Sequence, residues 1–171
     1  MKQMILMILL AACVAAVPAA AADMKLGYID MQRALNGSDA GKEAKEQLAT
    51  RVKKYQDEIN AKQDELKKLK DELEKQGMLL SEAARTAKEK DYQQKLKEIQ
   101  RFTKDAQDEL QGRDEEFTKK IFEGMEKAIQ EFGRTNGYTF IFVRNDAMLF
   151  AVESADVTEQ VVKMFNANRK K

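Results

Sequence analysis

The chain is poor in the residues that break, cross-link or activate a fold. It has one Pro, one Cys, no His and no Trp, and both Pro18 and Cys13 fall near the N-terminus. Beyond them nothing forces a break in a helix. Nor is there an imidazole base, a thiol nucleophile, a disulfide or a thiolate or imidazole metal site. Aromatic residues make up only 7%, against 35% charged residues. That balance suits a long exposed helix better than a compact core. No Gly-rich phosphate loop and no recognisable catalytic constellation is found, so neither ATP nor another cofactor nor enzymatic activity is expected. A length of 171 residues allows one domain, or one small domain with an extension.

What is present first is a leader. Lys2 gives a short positive start, and Met4 to Val17 is apolar. A run of about fourteen residues is short for a bilayer span. Ala20-Ala21-Ala22 supplies the small residues of a cleavage site, which predicts a secretory signal over residues 1–22 and a mature chain starting at Asp23. A second reading uses Leu10-Ala11-Ala12-Cys13, which resembles a bacterial lipobox with Cys13 as the lipidated first residue. Cleavage before Asp23 removes Lys2 and leaves 29 basic and 29 acidic residues, a net charge of zero. Nucleic-acid binders carry a basic excess, so that class is disfavoured.

The stretch from Ser38 to Gly137 organises the rest. It predicts two long helices, Asp39–Gln76 and Glu82–Asn136, joined by Gly77-Met78-Leu79-Leu80-Ser81. Leu48, Val52, Tyr55, Ile59, Leu66, Leu69 and Leu73 form a coiled-coil seam on the first, with Lys62 in one slot. Tyr92, Leu96, Ile99, Phe102, Ala106, Leu110 and Phe117 form the seam on the second. A turn centred on Leu79 brings Leu66 opposite Tyr92, Ile59 opposite Ile99, Val52 opposite Ala106 and Leu48 opposite Leu110. One register that yields four apolar pairs argues for an antiparallel hairpin. Past about Lys120 the second helix has no hairpin partner, and its apolar stripe widens to include Met125, Ile129 and Phe132. That end should pack on a sheet. Gly112 and Gly124, inside this helix, mark either flexible points or close packing.

Charge is uneven along the hairpin. Residues Lys67–Lys104 hold eleven basic and seven acidic residues, and Asp105–Glu131 hold four and nine. The distal part is net positive and the base of the second helix net negative. At the tip, Met78, Leu79 and Leu80 form an apolar point ringed by Lys75, Arg85, Lys88 and Lys90. Three consecutive apolar residues at a loop tip suggest contact with a partner.

The remaining segments make a small β-containing body. Leu26-Gly27-Tyr28-Ile29 reads as a strand capped by Asp30, followed by a short helix that Asn36-Gly37 stops. Tyr138–Val143 and Met148–Val152 read as two more strands around an Asn145-Asp146 turn. Asp156 is placed as the cap of a last helix, with Val157, Val161, Met164 and Phe165 on its apolar side. The expected domains are therefore residues 1–22 as signal, residues 23–37 with 137–171 as the body, and residues 38–136 as the helical hairpin. Three short strands are barely stable alone. Oligomerisation through the strands, using Leu26, Tyr28, Phe140, Phe142 and Phe150, is the economical solution.

These features together resemble the OmpH/Skp family of periplasmic chaperones. The resemblance rests on the signal and on Gly27-Tyr28-Ile29-Asp30. It rests equally on Ser38-Asp39-Ala40-Gly41-Lys42, the Gly77–Glu82 tip, Tyr138–Val143, Met148–Ala151 and Asp156–Glu159, in that order and spacing. It implies an α+β fold, mainly α, with a small strand-based oligomerisation body. It also implies a homotrimer shaped like a jellyfish, in which helical tentacles enclose a cavity for unfolded outer-membrane proteins in the periplasm. Contact with an anionic membrane or lipopolysaccharide is a further implied partner. The neutral mature chain departs from the basic character of that family's best-known member, and Arg113-Asp114-Glu115-Glu116 stands where that member has a basic run. A lipid-anchored structural spacer built on Cys13 and the coiled coil is the alternative function.

Overall fold

The structure is a computed structural model that describes residues 24–76 and 79–169. The expected signal with its cleavage site, the alternative lipobox reading at Cys13 and the tip residues Gly77 and Met78 lie outside the described residues. The elements run β1 (Leu26–Ile29), α1 (Met31–Gly37), α2 (Asp39–Gln76), α3 (Glu82–Thr135), β2 (Phe140–Val143), a single 3-10 turn (Glu153–Ala155) and α4 (Thr158–Asn168).

Local chemistry sets the boundaries. The Asp30 carboxylate accepts from the Arg33 N–H at 2.9 Å and starts α1. The Ser38 hydroxyl accepts from the Gly41 N–H at 3.0 Å and starts α2, only one residue after α1 ends. The Ser81 hydroxyl does the same for α3, accepting from the Ala84 N–H. Gly137 adopts φ +68° just past α3, the left-handed conformation that glycine supplies without strain.

Helices α2 and α3 form the expected antiparallel hairpin. With 38 residues α2 extends about 57 Å, and α3 with 54 residues about 81 Å. Tyr55 meets Phe102 edge to face at 5.9 Å, and the ion pairs Arg51–Glu109, Lys95–Glu65 and Lys88–Glu72 cross between the legs. These contacts bracket the register that pairs Ile59 with Ile99. Ile99 and Ala106 are buried in the seam. Lys62 occupies its slot by lying over the Phe102 ring, 5.3 Å from the centroid.

One seam assignment needs correction. Val52, expected opposite Ala106 in the seam, is 50% exposed. Arg51 takes that slot. Its guanidinium reaches one oxygen of Glu109 at 2.9 Å while the Tyr55 hydroxyl donates to the other at 2.5 Å. The clasp holds the tyrosine's pKa above its ordinary value, because ionising the hydroxyl would lose its bond to the carboxylate.

The core lies in the body, where the overhanging end of α3 packs on the sheet and on α4. Ile121, Met125, Ala128 and Phe132 of α3 meet Ile29, Val157, Val161 and Phe165. Gly124 is a close-packing site: a Cβ there would lie 2.6 Å from the Phe165 ring. Gly112 has open space around it. Strands β1 and β2 pair in parallel, Leu26 with Phe140 through Ile29 with Val143, and the whole hairpin is the crossover between them. The other edge of β1 is taken by the chain at Asp156, with Val157 N–H donating to the Tyr28 carbonyl at 2.9 Å.

Two further expectations differ from the structure. Residues 148–152 do not form a strand: among the described residues the sheet has two strands, and the outer edge of β2 is left unpaired. Asp156 is not the helix cap itself. Helix α4 begins at Thr158, and the Asp156 carboxylate accepts from the Thr158 N–H at 2.8 Å in a turn just ahead of it.

Candidate functional site

Two surfaces carry apolar side chains that the chain does not cover. The first is the distal tip. Leu79 is 87% exposed and Leu80 is half-buried, while Met78 lies outside the described residues. The basic residues beside them are mostly paired within the arm. Lys75 lies 4.0 Å from Asp71, Arg85 sits 2.9 Å from Glu89, and Lys88 pairs with Glu72 across the hairpin. Lys90 is exposed on the second leg.

The second surface is the outer face of the two-stranded sheet. Parallel pairing puts Leu26, Phe140 and Phe142 on one face, and the two Phe rings stack at 5.8 Å. Each is about half exposed. Ile141 points the other way, onto α3 beside Gly133. Tyr28 shares the outer face but is buried within its own chain, between β2 and the Asp156 segment. The Arg144 guanidinium lies 6.0 Å from its ring centroid. Beyond β2 the chain presents Leu149 at 94% exposure and Phe150 at 85%. Val143, on the opposite face from Phe142, and Leu149 and Val152 beyond β2 are further exposed apolar residues that were not among those read from the sequence as the oligomerisation surface. The signal for them was present, since aromatic and β-branched residues cluster through 140–152 with few charges.

Helix α4 ties this body to both legs of the hairpin. The Asp39 N–H at the start of α2 donates to Asn166 Oδ1 at 3.0 Å. Arg169 reaches Glu43 of α2 at 2.8 Å, and Asn168 donates to Glu131 of α3 at 2.7 Å. The Arg169 hydrogen bond holds the Glu43 carboxyl below its ordinary pKa. A cleft of about 370 Å³ opens between these elements, floored by Ala44, Phe117, Ile121 and Phe165. On the far side of the body, Asp156 pairs with Arg33 of α1. Burial raises the Asp156 pKa. Hydrogen bonds from the Thr158 side chain and backbone and from Arg33 together outweigh it and hold the carboxyl below its usual range.

Chemically, these surfaces offer apolar contact and ion pairing. Among the described residues, no group of three or more acidic, His or Cys residues is placed to hold a metal ion. No helix is long and apolar enough to cross a membrane among those residues.

No curated protein matches the chain. Among solved structures, one similar protein is described as an OmpH-like outer membrane chaperone from Caulobacter crescentus CB15. It shares 19% identity, covers 85% of each chain and superposes with a TM-score of 0.79, which is a likeness of fold. Its hairpin-and-body architecture is the one described above. The family described as outer membrane protein (OmpH-like) matches residues 25–165, from the start of β1 into α4. By that match over most of its length, the chain belongs to the OmpH-like family of outer membrane proteins.

Proposed function

We propose that the protein is an ATP-independent holdase that works in the periplasm, with homotrimers gripping unfolded outer-membrane proteins between their helical arms. The observation that supports this most is the division of uncovered apolar surface. One patch lies on the body, around Phe142 and Phe150, and another at Leu79, the far end of an arm about 57 Å long. The body patch suits association with further copies of the chain, because a two-stranded sheet with an apolar face is marginal alone. The tip supports no core and suits weak contact with a disordered apolar chain. Family membership and the fold shared with an OmpH-like chaperone point the same way.

The body assignment is tested by Phe142→Asp. A carboxylate placed in an apolar interface is costly. The variant should sediment as a monomer or fail to fold, and a full-size assembly carrying it would end the assignment. The client assignment is tested by changing Met78, Leu79 and Leu80 together to Ser. Helix content and sedimentation should stay at parental values, while the capacity to suppress aggregation of an unfolded β-barrel protein should fall. If the serine variant protects as well as the parent, the tip is only a loop.

A further inference from the structure

The outer face of α3, directly opposite the seam of Ile99 and Ala106, carries a line of charge with a peculiar order. Lys90, Lys97, Arg101 and Lys104 fall at spacings of seven, four and three residues, which keeps them on one face of a helix. All four are exposed. The same stripe continues toward the body through Asp108, Glu115 and Glu126, also exposed. Its sign therefore inverts along the helix, at the level of Ala106. Lys104 and Asp108 lie equally far to either side of that level, and so do Lys97 and Glu115. Only Lys104 and Asp108 pair within the chain. Among the described residues, Lys97 and Arg101 take part in no ion pair, and Glu115 accepts only from Gln111 at 2.8 Å.

A stripe that inverts its charge about its own midpoint is complementary to itself when turned end over end. We propose that the outer face of α3 is a docking surface for a second copy of this chain, with two α3 helices running antiparallel about a two-fold axis level with Ala106. In that register Lys97 meets the second copy's Glu115, and the reverse contact repeats it. Lys104 and Asp108 form a square of four alternating charges with their counterparts. Lys90 comes level with the exposed ring of Phe122, and Lys119, the one basic residue on the proximal half of the stripe, comes level with Gln93. No like charges come level with one another along the stripe, although Lys119 falls between the second copy's Lys90 and Lys97. Gly112, with no atom within 4 Å of its missing Cβ, leaves room for the second copy's side chains near Arg101. An acidic polypeptide laid along the same face would be attracted by one half and repelled by the other, so the observations favour a second copy over a polyanion. Resting on the homotrimer proposed above, the copies of one assembly surround an axis that runs along the arms, so their arms point the same way. The antiparallel contact therefore joins two assemblies, arm against arm, and does not depend on what the arms hold.

Contacts between exposed charges are weak and strongly screened. The association should accordingly be visible at low salt and absent at high salt. The test is sedimentation velocity of the full chain at two ionic strengths, for the parent, Lys97→Glu, Glu115→Lys and the double variant carrying both. Each single variant places like charges opposite each other twice, and should weaken association by about tenfold or more. The double variant has the parent's net charge with the pair reversed, and should associate as the parent does. Circular dichroism should be unchanged in all four, since every altered side chain is exposed. A parent that stays a single assembly at low salt overturns the proposal. So does a double variant no better than the singles. Binding of polyglutamate to the parent that depends on Lys97, without self-association, would instead assign the stripe to acidic chains and overturn the proposal equally.

Discussion

Replacing Gly112 and Gly124, two of the three glycines inside α3, by alanine should move stability in opposite directions. At Gly112 the added methyl meets no atom within 4 Å. Only backbone preference acts there, and alanine in a helix interior is favoured over glycine by about 1 kcal/mol. At Gly124 the same preference applies, but the methyl would lie 2.6 Å from the Phe165 ring. Carbon atoms settle near about 3.6 Å, so the ring or the helix must yield by about 1 Å. Phe165 is only 6% exposed and packs within the cluster of Ile121, Met125 and Val161, which leaves it little freedom. Overpacking of this kind costs about 1–3 kcal/mol. After the helix gain, Gly124→Ala should be destabilising by about 0–2 kcal/mol, and the two variants should differ by about 1–3 kcal/mol. Urea unfolding followed by the helical circular dichroism signal measures this, at one protein concentration and at high salt so that association contributes equally. Adding Phe165→Leu should cost less in the Gly124→Ala background than in the parent, because the shorter side chain relieves the clash. If Gly124→Ala stabilises as much as Gly112→Ala, Phe165 does not seat on Gly124, and the grip of α4 on the hairpin is misplaced.

Two more outcomes follow from the body and the arm. Asp156 titrates below the usual carboxylate range in the folded chain, so its stabilisation is complete above the unfolded value and fades as pH drops through the folded one. Asp156→Asn should therefore be less stable than the parent at neutral pH, with the gap closing in acid below the usual carboxylate range; a gap constant across that range refutes the role. In the arm, Ile59→Cys combined with Ile99→Cys should cross-link within one chain. Preferential linking of Ile59→Cys to Tyr92→Cys or Ala106→Cys would rule out this register.

The hairpin was legible because its signal is repetitive. Leu66, Leu69 and Leu73 on one leg and Tyr92, Leu96 and Ile99 on the other repeat one spacing many times, and each repetition corrects the last. The error at Val52 shows where that fails. A seam alternates steps of three and four, so a single slot can slide by one residue, and apolarity favours Val52 over Arg51. What decides is tertiary: Glu109 waits on the opposite leg, and Arg51 and Tyr55 both reach it. Residues 148–152 fail differently. Their composition is right for a strand, but composition says only that a segment can pair, and within the chain they leave the outer edge of β2 unpaired. The exposed Leu149 and Phe150 express the same fact from the surface side. Tyr28, expected in the oligomerisation surface, shares the outer apolar face with Leu26 but is buried. Its burial comes from the Asp156 segment adding to the free edge of β1, a contact between residues far apart in sequence.

The parallel pairing of β1 with β2 has a consequence for the order of events in folding. The strands are separated by about 110 residues, a costly loop to close as random coil. The hairpin removes most of that cost. Its legs zip from the distal turn by contacts between residues progressively further apart, and each step is a small closure. When zipping reaches Ala44 and Ile121 the two ends of the chain are already neighbours, and β1 needs only a short search to find Phe140–Val143. During synthesis, which delivers β1 first, that strand has no partner until the last quarter of the chain has emerged. The body is thus expected to assemble last, with the arm as the scaffold that brings its halves together.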